Sequence, residues 1–284
     1  MNISIITTCK SRLHHLQQVI ESWSKLRPYE IIVVDVKSPD GLADWMIQNY
    51  PKIKMQRLDK DGFNVAEARN YGAKIAKGDY LFFVDADVHL NEGLFDWLKE
   101  FISKGDYAVR HRDNAYDGIH EQGTVLVAKD DFHRIEGFDE VFAGYGGEDH
   151  DFYEKLERAG CKKIGFPKIF ASSIDHSDEE RTYYYSIKNK NLQSIINRIY
   201  RSIKHVLLSR KLGVFELDIK IRKKLWTEIN QQVGGNMESF EGKTLQFRNT
   251  INKWLPPPFY LEEELTVNLK VKVRQTQENK EQKG

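Results

Sequence analysis

The chain has 284 residues, of which 40% are hydrophobic, 30% charged and 12% aromatic, so collagen-like, disordered and coiled-coil classes are excluded for its bulk. Apolar runs such as Leu81 to Val84 fall far short of the roughly 20 residues that span a bilayer, so no transmembrane helix is expected. The net charge of +1 hides an asymmetry: acidic side chains dominate residues 1–180 and basic ones residues 181–284.

The N-terminus enters a strand-like run at once, Asn2 to Thr7, with no secretory leader pattern before it. Cys9 and Cys161 are far apart in sequence, which suits a reducing compartment better than a disulfide or zinc framework. A cytoplasmic location is therefore expected. His14 to Leu26 predicts a helix with Leu16, Val19, Ile20 and Trp23 on one face, and Ile31 to Asp35 a fully apolar strand. Helices follow at Leu42 to Tyr50 and Val65 to Ala76, and strands at Ile53 to Leu58 and Tyr80 to Val84. This alternation predicts an α/β fold with a mostly parallel central sheet flanked by helices. Ligands bind beyond the carboxyl ends of such strands, which singles out the residues after Ile6, Val34 and Val84.

The strand at Tyr80 ends in Asp85-Ala86-Asp87. Two carboxylates one residue apart at the open end of a buried strand suit a hard divalent ion, Mg²⁺ or Mn²⁺, carrying a diphosphate. An isolated pair of this kind is more often a helix cap and a solvated turn residue. A second segment, Gly144-Tyr145-Gly146-Gly147-Glu148-Asp149-His150-Asp151, opens a helical stretch. Glycines there allow close backbone approach, and acids at a helix start are favoured by its dipole. With Asp139 and Glu140 upstream, the carboxylates exceed what capping needs, and one held beside a sugar hydroxyl can act as general base. His176, in Ser172 to Ser177, gains interest as a metal ligand only when paired with Asp85 and Asp87.

Taken in order, these pieces resemble a glycosyltransferase of the GT-A fold, family 2 in general, with a loop similar to the C-terminal motif of β-1,4-galactosyltransferases. The likeness runs from residue 2 to about 180. It rests on the loop Ile5 to Arg12, the strand ending at Asp35, the helix Ala66 to Gly72, Phe82 to Asp87, Gly137 to Glu140, the Gly-Tyr-Gly-Gly-Glu-Asp loop and His176. The resemblance implies that Asp85, Asp87 and His176 hold Mn²⁺ or Mg²⁺, with Asp85 and Ala86 near the donor's ribose. Thr7, Thr8, Lys10 and Arg12 would cradle the nucleotide, Asp35 would accept from the uracil N3, and Arg69 and Asn70 would reach the nucleotide or diphosphate. Asp149 would be the base, Glu148 would orient the acceptor, and Tyr145, Gly146 and Gly147 would bind it, with inversion at the anomeric carbon. Here Val36 follows Asp35 where the family often has a second acid, Tyr145 replaces a usual Trp, and Asp151 inherits no role.

Residues 181–273 are expected to form a mostly helical extension, and 274–284 a disordered tail. Residues 188–224 hold eleven Lys plus Arg, with Ile195, Ile196, Ile199, Ile203, Val206 and Leu207 spaced as an apolar helical face. Such a helix can lie on an anionic membrane, where a lipid-linked glycan acceptor would be found, or can pack on the catalytic domain. Tyr183, Tyr184 and Tyr185 are candidates for an acceptor channel or a helix anchor. No nucleic-acid motif accompanies the basic residues. The sequence thus points to a metal-dependent inverting transferase using a UDP-sugar, in surface polysaccharide assembly. The alternatives are a sugar nucleotidyltransferase, disfavoured because Ile5 to Arg12 contains no glycine, and a non-catalytic nucleotide-sugar scaffold.

Overall fold

The computed structural model describes residues 1–112, 123–175, 177–185, 187–233, 244–254 and 260–270. In chain order, the first part runs β1 (Ile3–Cys9), α1 (Leu13–Lys25), β2 (Glu30–Asp35), α2 (Leu42–Asn49), β3 (Lys54–Arg57), α3 (Val65–Ile75), β4 (Tyr80–Phe83), β5 (Val88–Leu90) and α4 (Leu94–Phe101). It continues with β6 (Asp106–Arg110), β7 (Val125–Ala128), α5 (Lys129–Arg134), α6 (Glu148–Arg158), β8 (Lys162–Phe166), β9 (Ala171–Ser173) and α7 (Asp178–Thr182). The basic part adds α8 (Lys190–Ser209), α9 (Ile219–Val233), β10 (Thr244–Trp254) and β11 (Tyr260–Lys270).

Seven strands form one sheet in the order β3-β2-β1-β4-β7-β6-β8. β3, β2, β1 and β4 are mutually parallel, as are β6 and β8, while β7 runs antiparallel to both β4 and β6. The mostly parallel α/β reading therefore holds. Alternate side chains go to opposite faces, as the period of a strand requires. Ile5, Phe82, Ala108 and Leu126 meet α1 and α4 on one side, while Ile6, Phe83, Val109, Val125 and Val127 meet α3, α5 and α6 on the other. The α1 face foreseen from Leu16, Val19, Ile20 and Trp23 is buried in full, and the Trp23 indole donates to the Val88 carbonyl at 2.8 Å.

The chain moves outward from β1 to β2 and β3, then returns through α3 to β4 on the other side of β1. Strand order reverses between β1 and β4, and the carboxyl ends of these two strands open a crevice there.

A third core joins α8, α9, β10 and β11 to Val141 and Phe142. Of the two readings of the α8 face, packing within the chain is the one observed, and the mostly helical extension also carries a strand pair. The apolar face of α8, with Ile196, Ile199, Ile203 and Leu207 buried, is covered within the chain and is not presented to a bilayer. The extension is also not helical throughout, because β10 and β11 pair antiparallel. Leu245 and Phe247 are buried between exposed Gln246 and Arg248, the period-2 pattern of a half-buried strand. Pro256 to Pro258 and the 274–284 tail lie outside the described residues. No described helix is long and apolar enough to cross a membrane.

Candidate active site

A cavity of about 570 Å³ lies beyond β1 and β4. Thr8, Lys10 and Arg12 enter it from the end of β1 and the turn that follows, Asp85, Ala86 and Asp87 from the end of β4, and Arg69 from α3. Tyr145, Gly146, Gly147, Glu148 and Asp149 enter from the loop and first turn of α6. Phe63, Tyr184, Tyr185 and part of α8 complete the walls.

Arg69 is the centre of this arrangement. Asn64 caps α3 by accepting from the Glu67 N–H at 3.1 Å, which fixes the helix start and turns Arg69 inward. The guanidinium packs over the Phe138 ring at 5.1 Å, and Phe138 is itself stacked on Phe152. One arm donates to Asp85 at 2.8 Å and the other to Asp149 at 2.5 Å, with Glu148 3.6 Å away. A planar fork can bridge two carboxylates in this way, whereas a lysine cannot. Burial opposes the charge on Arg69, but Asp149 and Asp85 outweigh it and hold its pKa high. Burial, reinforced by Asp149, pushes Glu148 up to about 8, with Arg69 pulling the other way. Burial also raises the Asp85 carboxyl, Arg69 lowers it, and Asp87 and Asp149 raise it further.

Asp85, Asp87, Glu148 and Asp149 thus share the cavity around Arg69. This local surplus of hard oxygen donors fits a divalent cation at Asp85 and Asp87, a charge that would relieve the mutual repulsion of the carboxylates.

The glycine loop is shaped by α8. Gly144 and Gly147 have φ of 75° and 102°, values that side-chain-bearing residues rarely adopt. A Cβ at Gly144 would also stand 2.4 Å from the Gln193 side chain, and one at Gly147 would stand 2.9 Å from Asn197. The Asn197 amide donates to the carbonyls of Ala143, Tyr145 and Gly146, tying the loop to α8. Below the loop, Asp139, Asp151 and Glu216 are buried with Lys155 and Lys204, and the partly buried Arg222 pairs with Asp139 at the edge. Lys204 alone reaches all three carboxylates, at 2.9, 2.6 and 3.0 Å. Asp151, for which the sequence offered no role, is one anchor of this network and also meets His205 at 2.9 Å.

The cavity brings together Thr8, Lys10, Arg12, Arg69, Asp85, Ala86, Asp87, Tyr145, Gly146, Gly147, Glu148 and Asp149. It leaves out three others. Thr7 is buried in β1 with an unpartnered hydroxyl. Asp35 is fully buried because the turn after it folds back over β1: Val36 N donates to Cys9 O, Lys10 Nζ to Val36 O, and Ser38 N to Asp35 itself. Asp35 is therefore not presented to the cavity. Asn70 faces away from it and grips the 138–140 loop, donating to Phe138 O and Glu140 and accepting from Phe138 N. His176 lies outside the described residues. Arg12 is not free for a ligand, since it pairs with Glu180 of α7, and the Lys10 ammonium is 5.0 Å from the centre of the Tyr184 ring. Tyr184 and Tyr185 line the cavity as the channel reading expects, while Tyr183 is 67% exposed. Sequence reasoning missed the α8 contribution of Lys190, Ser194, Arg198 and Arg201; their four-, four- and three-residue spacings were visible, but the position of the helix was not.

Residues 4–170 match the model of the family described as glycosyl transferase family 2. The family match spans more than half of the chain and agrees with the α/β crevice, and the chain belongs to glycosyl transferase family 2. It is 31% identical over 128 residues to the poly(ribitol-phosphate) beta-N-acetylglucosaminyltransferase TarP of Staphylococcus aureus, a match covering 41% of this chain and 39% of that protein. The chain thus spans about two fifths of the length of this curated relative. Among solved structures, S. aureus TarS residues 1–349 in complex with UDP-GlcNAc superposes with a TM-score of 0.57 at 16% identity, covering 82% of this chain and 72% of that one. GalNAc-T7 with UDP, GalNAc and Mn²⁺ superposes with a TM-score of 0.56 at 15% identity, covering 84% and 56%. At these identities the structural likeness speaks for the fold.

Proposed function

We propose that the chain is an inverting, metal-dependent glycosyltransferase that moves a sugar from a UDP-sugar to a hydroxyl of a glycan acceptor, in the building of a cell-surface polysaccharide. The observation that carries this reading is the Arg69 fork, which ties a carboxylate of the Asp85-Ala86-Asp87 turn to Asp149 inside one cavity. The TarP name and the UDP-bound and Mn²⁺-bound neighbours support the donor, the metal and the polymer context.

Thr8 and Lys10 would face the nucleotide, Arg12 stays on Glu180 at the cavity wall, and Ala86 offers a small, buried surface nearby. Asp85 and Asp87, with His176 as a further ligand, would hold Mn²⁺ or Mg²⁺, which neutralises charge on the departing diphosphate. Tyr145, Gly146 and Gly147 form the platform for the acceptor, and Glu148, holding its proton near neutrality, is suited to donate a hydrogen bond to it. Asp149 takes the proton of the accepting hydroxyl as that oxygen bonds to the anomeric carbon. The bond from that carbon to the phosphate oxygen breaks, its electron pair leaves with UDP, and one displacement inverts the centre. Arg69 holds Asp149 Oδ1, which orients the carboxylate. Both cysteines are buried and unpaired, in keeping with a cytoplasmic enzyme.

Incubation with a panel of UDP-sugars and Mn²⁺ is expected to release UDP. Asp149→Asn is expected to lower the rate by about 10²- to 10⁴-fold while still binding UDP. No UDP binding by the parent chain, together with identical behaviour of parent and variant, would overturn the assignment.

A further inference from the structure

Acidic groups crowd one part of the cavity, but the wall supplied by α8 has the opposite character. Lys190, Ser194, Arg198 and Arg201 recur at four, four and three residues, so they fall on one stripe of the helix, and all four line the cavity. The stripe borders Asn197, which holds the glycine loop, and Gln193, which packs against Gly144. Its first member, Lys190, places its ammonium 4.7 Å from the centre of the Tyr145 ring. Arg201 has Glu154 at 3.4 Å, whereas Arg198 is exposed and has no carboxylate within ion-pair distance among the described residues. Arg198, open to the cavity beside the Glu154-held Arg201, is matched to an oxyanion from outside the chain, with Arg201 as the second guanidinium facing the same space.

The stripe belongs to the base side of the cavity. His150, next to Asp149, is held below its ordinary pKa by burial and then by Arg201, with Arg198 adding to the effect. Lys190 meets Tyr145 of the glycine loop and Arg201 meets Glu154 of α6, the helix that carries Asp149. The donor's diphosphate belongs with Asp85 and Asp87, so the α8 arginines address what lies beyond Asp149.

We propose that Arg198 and Arg201 form an acceptor subsite for an oxyanion, so that the glycan accepting the sugar is itself anionic, carrying phosphodiester or uronate groups next to the accepting hydroxyl. This rests on the glycosyltransferase reading above. His150 also lines the cavity beside the arginines. Lys190 and Tyr145 form its far edge.

The test is a calorimetric titration of the full chain, saturated with UDP and Mn²⁺, with three short oligomers: glycerol phosphodiester, glucuronate and neutral glucoside. One anionic oligomer is expected to bind at least about tenfold more tightly than the neutral one, and the double variant Arg198→Ala, Arg201→Ala to lose about that factor. Affinity for UDP in the variant should stay within about twofold of the parent. Arg198→Glu, which keeps a polar surface residue, should weaken the anionic oligomer further. Whichever anionic arm binds identifies the charged group. Equal or tighter binding of the neutral oligomer, binding of neither anion, or loss of UDP rather than oligomer affinity in the variants would overturn the subsite. Failure of the parent chain to bind UDP would instead overturn the glycosyltransferase reading.

Discussion

Arg69, Glu148 and Asp149 form one cluster of charged side chains in the cavity. The guanidinium keeps its charge, Glu148 is pushed up to about 8 by burial and by Asp149, and Asp149 keeps an Arg69 hydrogen bond at 2.5 Å. A buried carboxyl raised in this way, beside a carboxylate that accepts from an arginine, can take the donor role while its neighbour takes the acceptor role. Arg69→Lys retains the charge but cannot reach Asp85 and Asp149 at once, so turnover should fall by at least about tenfold while the chain stays folded. Steady-state kinetics beside a thermal melt check this; an unchanged kcat would show that the fork is dispensable. Asn70 shows where reading by adjacency stops. It follows Arg69 in sequence, but consecutive helical residues point about 100° apart, so its amide serves the 138–140 loop instead of the cavity. Asp85 and Asp149 were legible because acids at a strand end and a helix start carry position in their local pattern. Asp35 was not, because its burial depends on how two turns fold across β1.

At the scale of elements, α8 is fastened beneath α6 by buried charge. Lys204 is fully buried among Asp139, Asp151 and Glu216, so Lys204→Met strands carboxylates in the interior and should cost about 3–5 kcal/mol, read by urea unfolding. The network also fixes a pH dependence. Burial raises the Asp151 carboxyl, but Lys204, the His205 hydrogen bond and Lys155 outweigh it and hold it well below the usual range. A depressed folded pKa gives stability that is complete above the unfolded value of 3.8 and lost as pH falls through the folded value. For His205, burial favours the neutral ring, yet hydrogen bonds to Asp151 and Glu154 win and raise its pKa. Its contribution is therefore complete below the unfolded value of 6.5 and lost as pH rises through the folded one. The difference in urea midpoint between parent and His205→Gln should shrink as pH rises above 6.5, and a gap independent of pH would refute the linkage. Nothing local in Asp151 announced this role, since its partner Lys204 lies 53 residues away. The α8 pattern was visible as an apolar face, but periodicity does not say whether lipid or protein covers such a face.

For the whole molecule, the reversal of charge near residue 180 becomes a division of the cavity. The acidic sheet-end half presents carboxylates from β4 and α6, and the basic half closes the space with α7 and α8. Parallel strands and crossover helices were readable because each rests on local periodicity and connection length, whereas the reversal of strand order between β1 and β4 was not. The hairpin of β10 and β11 was overlooked although Leu245 and Phe247 alternate with exposed Gln246 and Arg248, a short signal beside a run of prolines. The central claim is a single displacement with Asp149 as base, and the anomeric configuration of the product tests it most directly. Proton NMR of the glycoside made from an α-linked UDP-sugar should show the β-anomeric coupling. A product that keeps the α configuration would contradict the account.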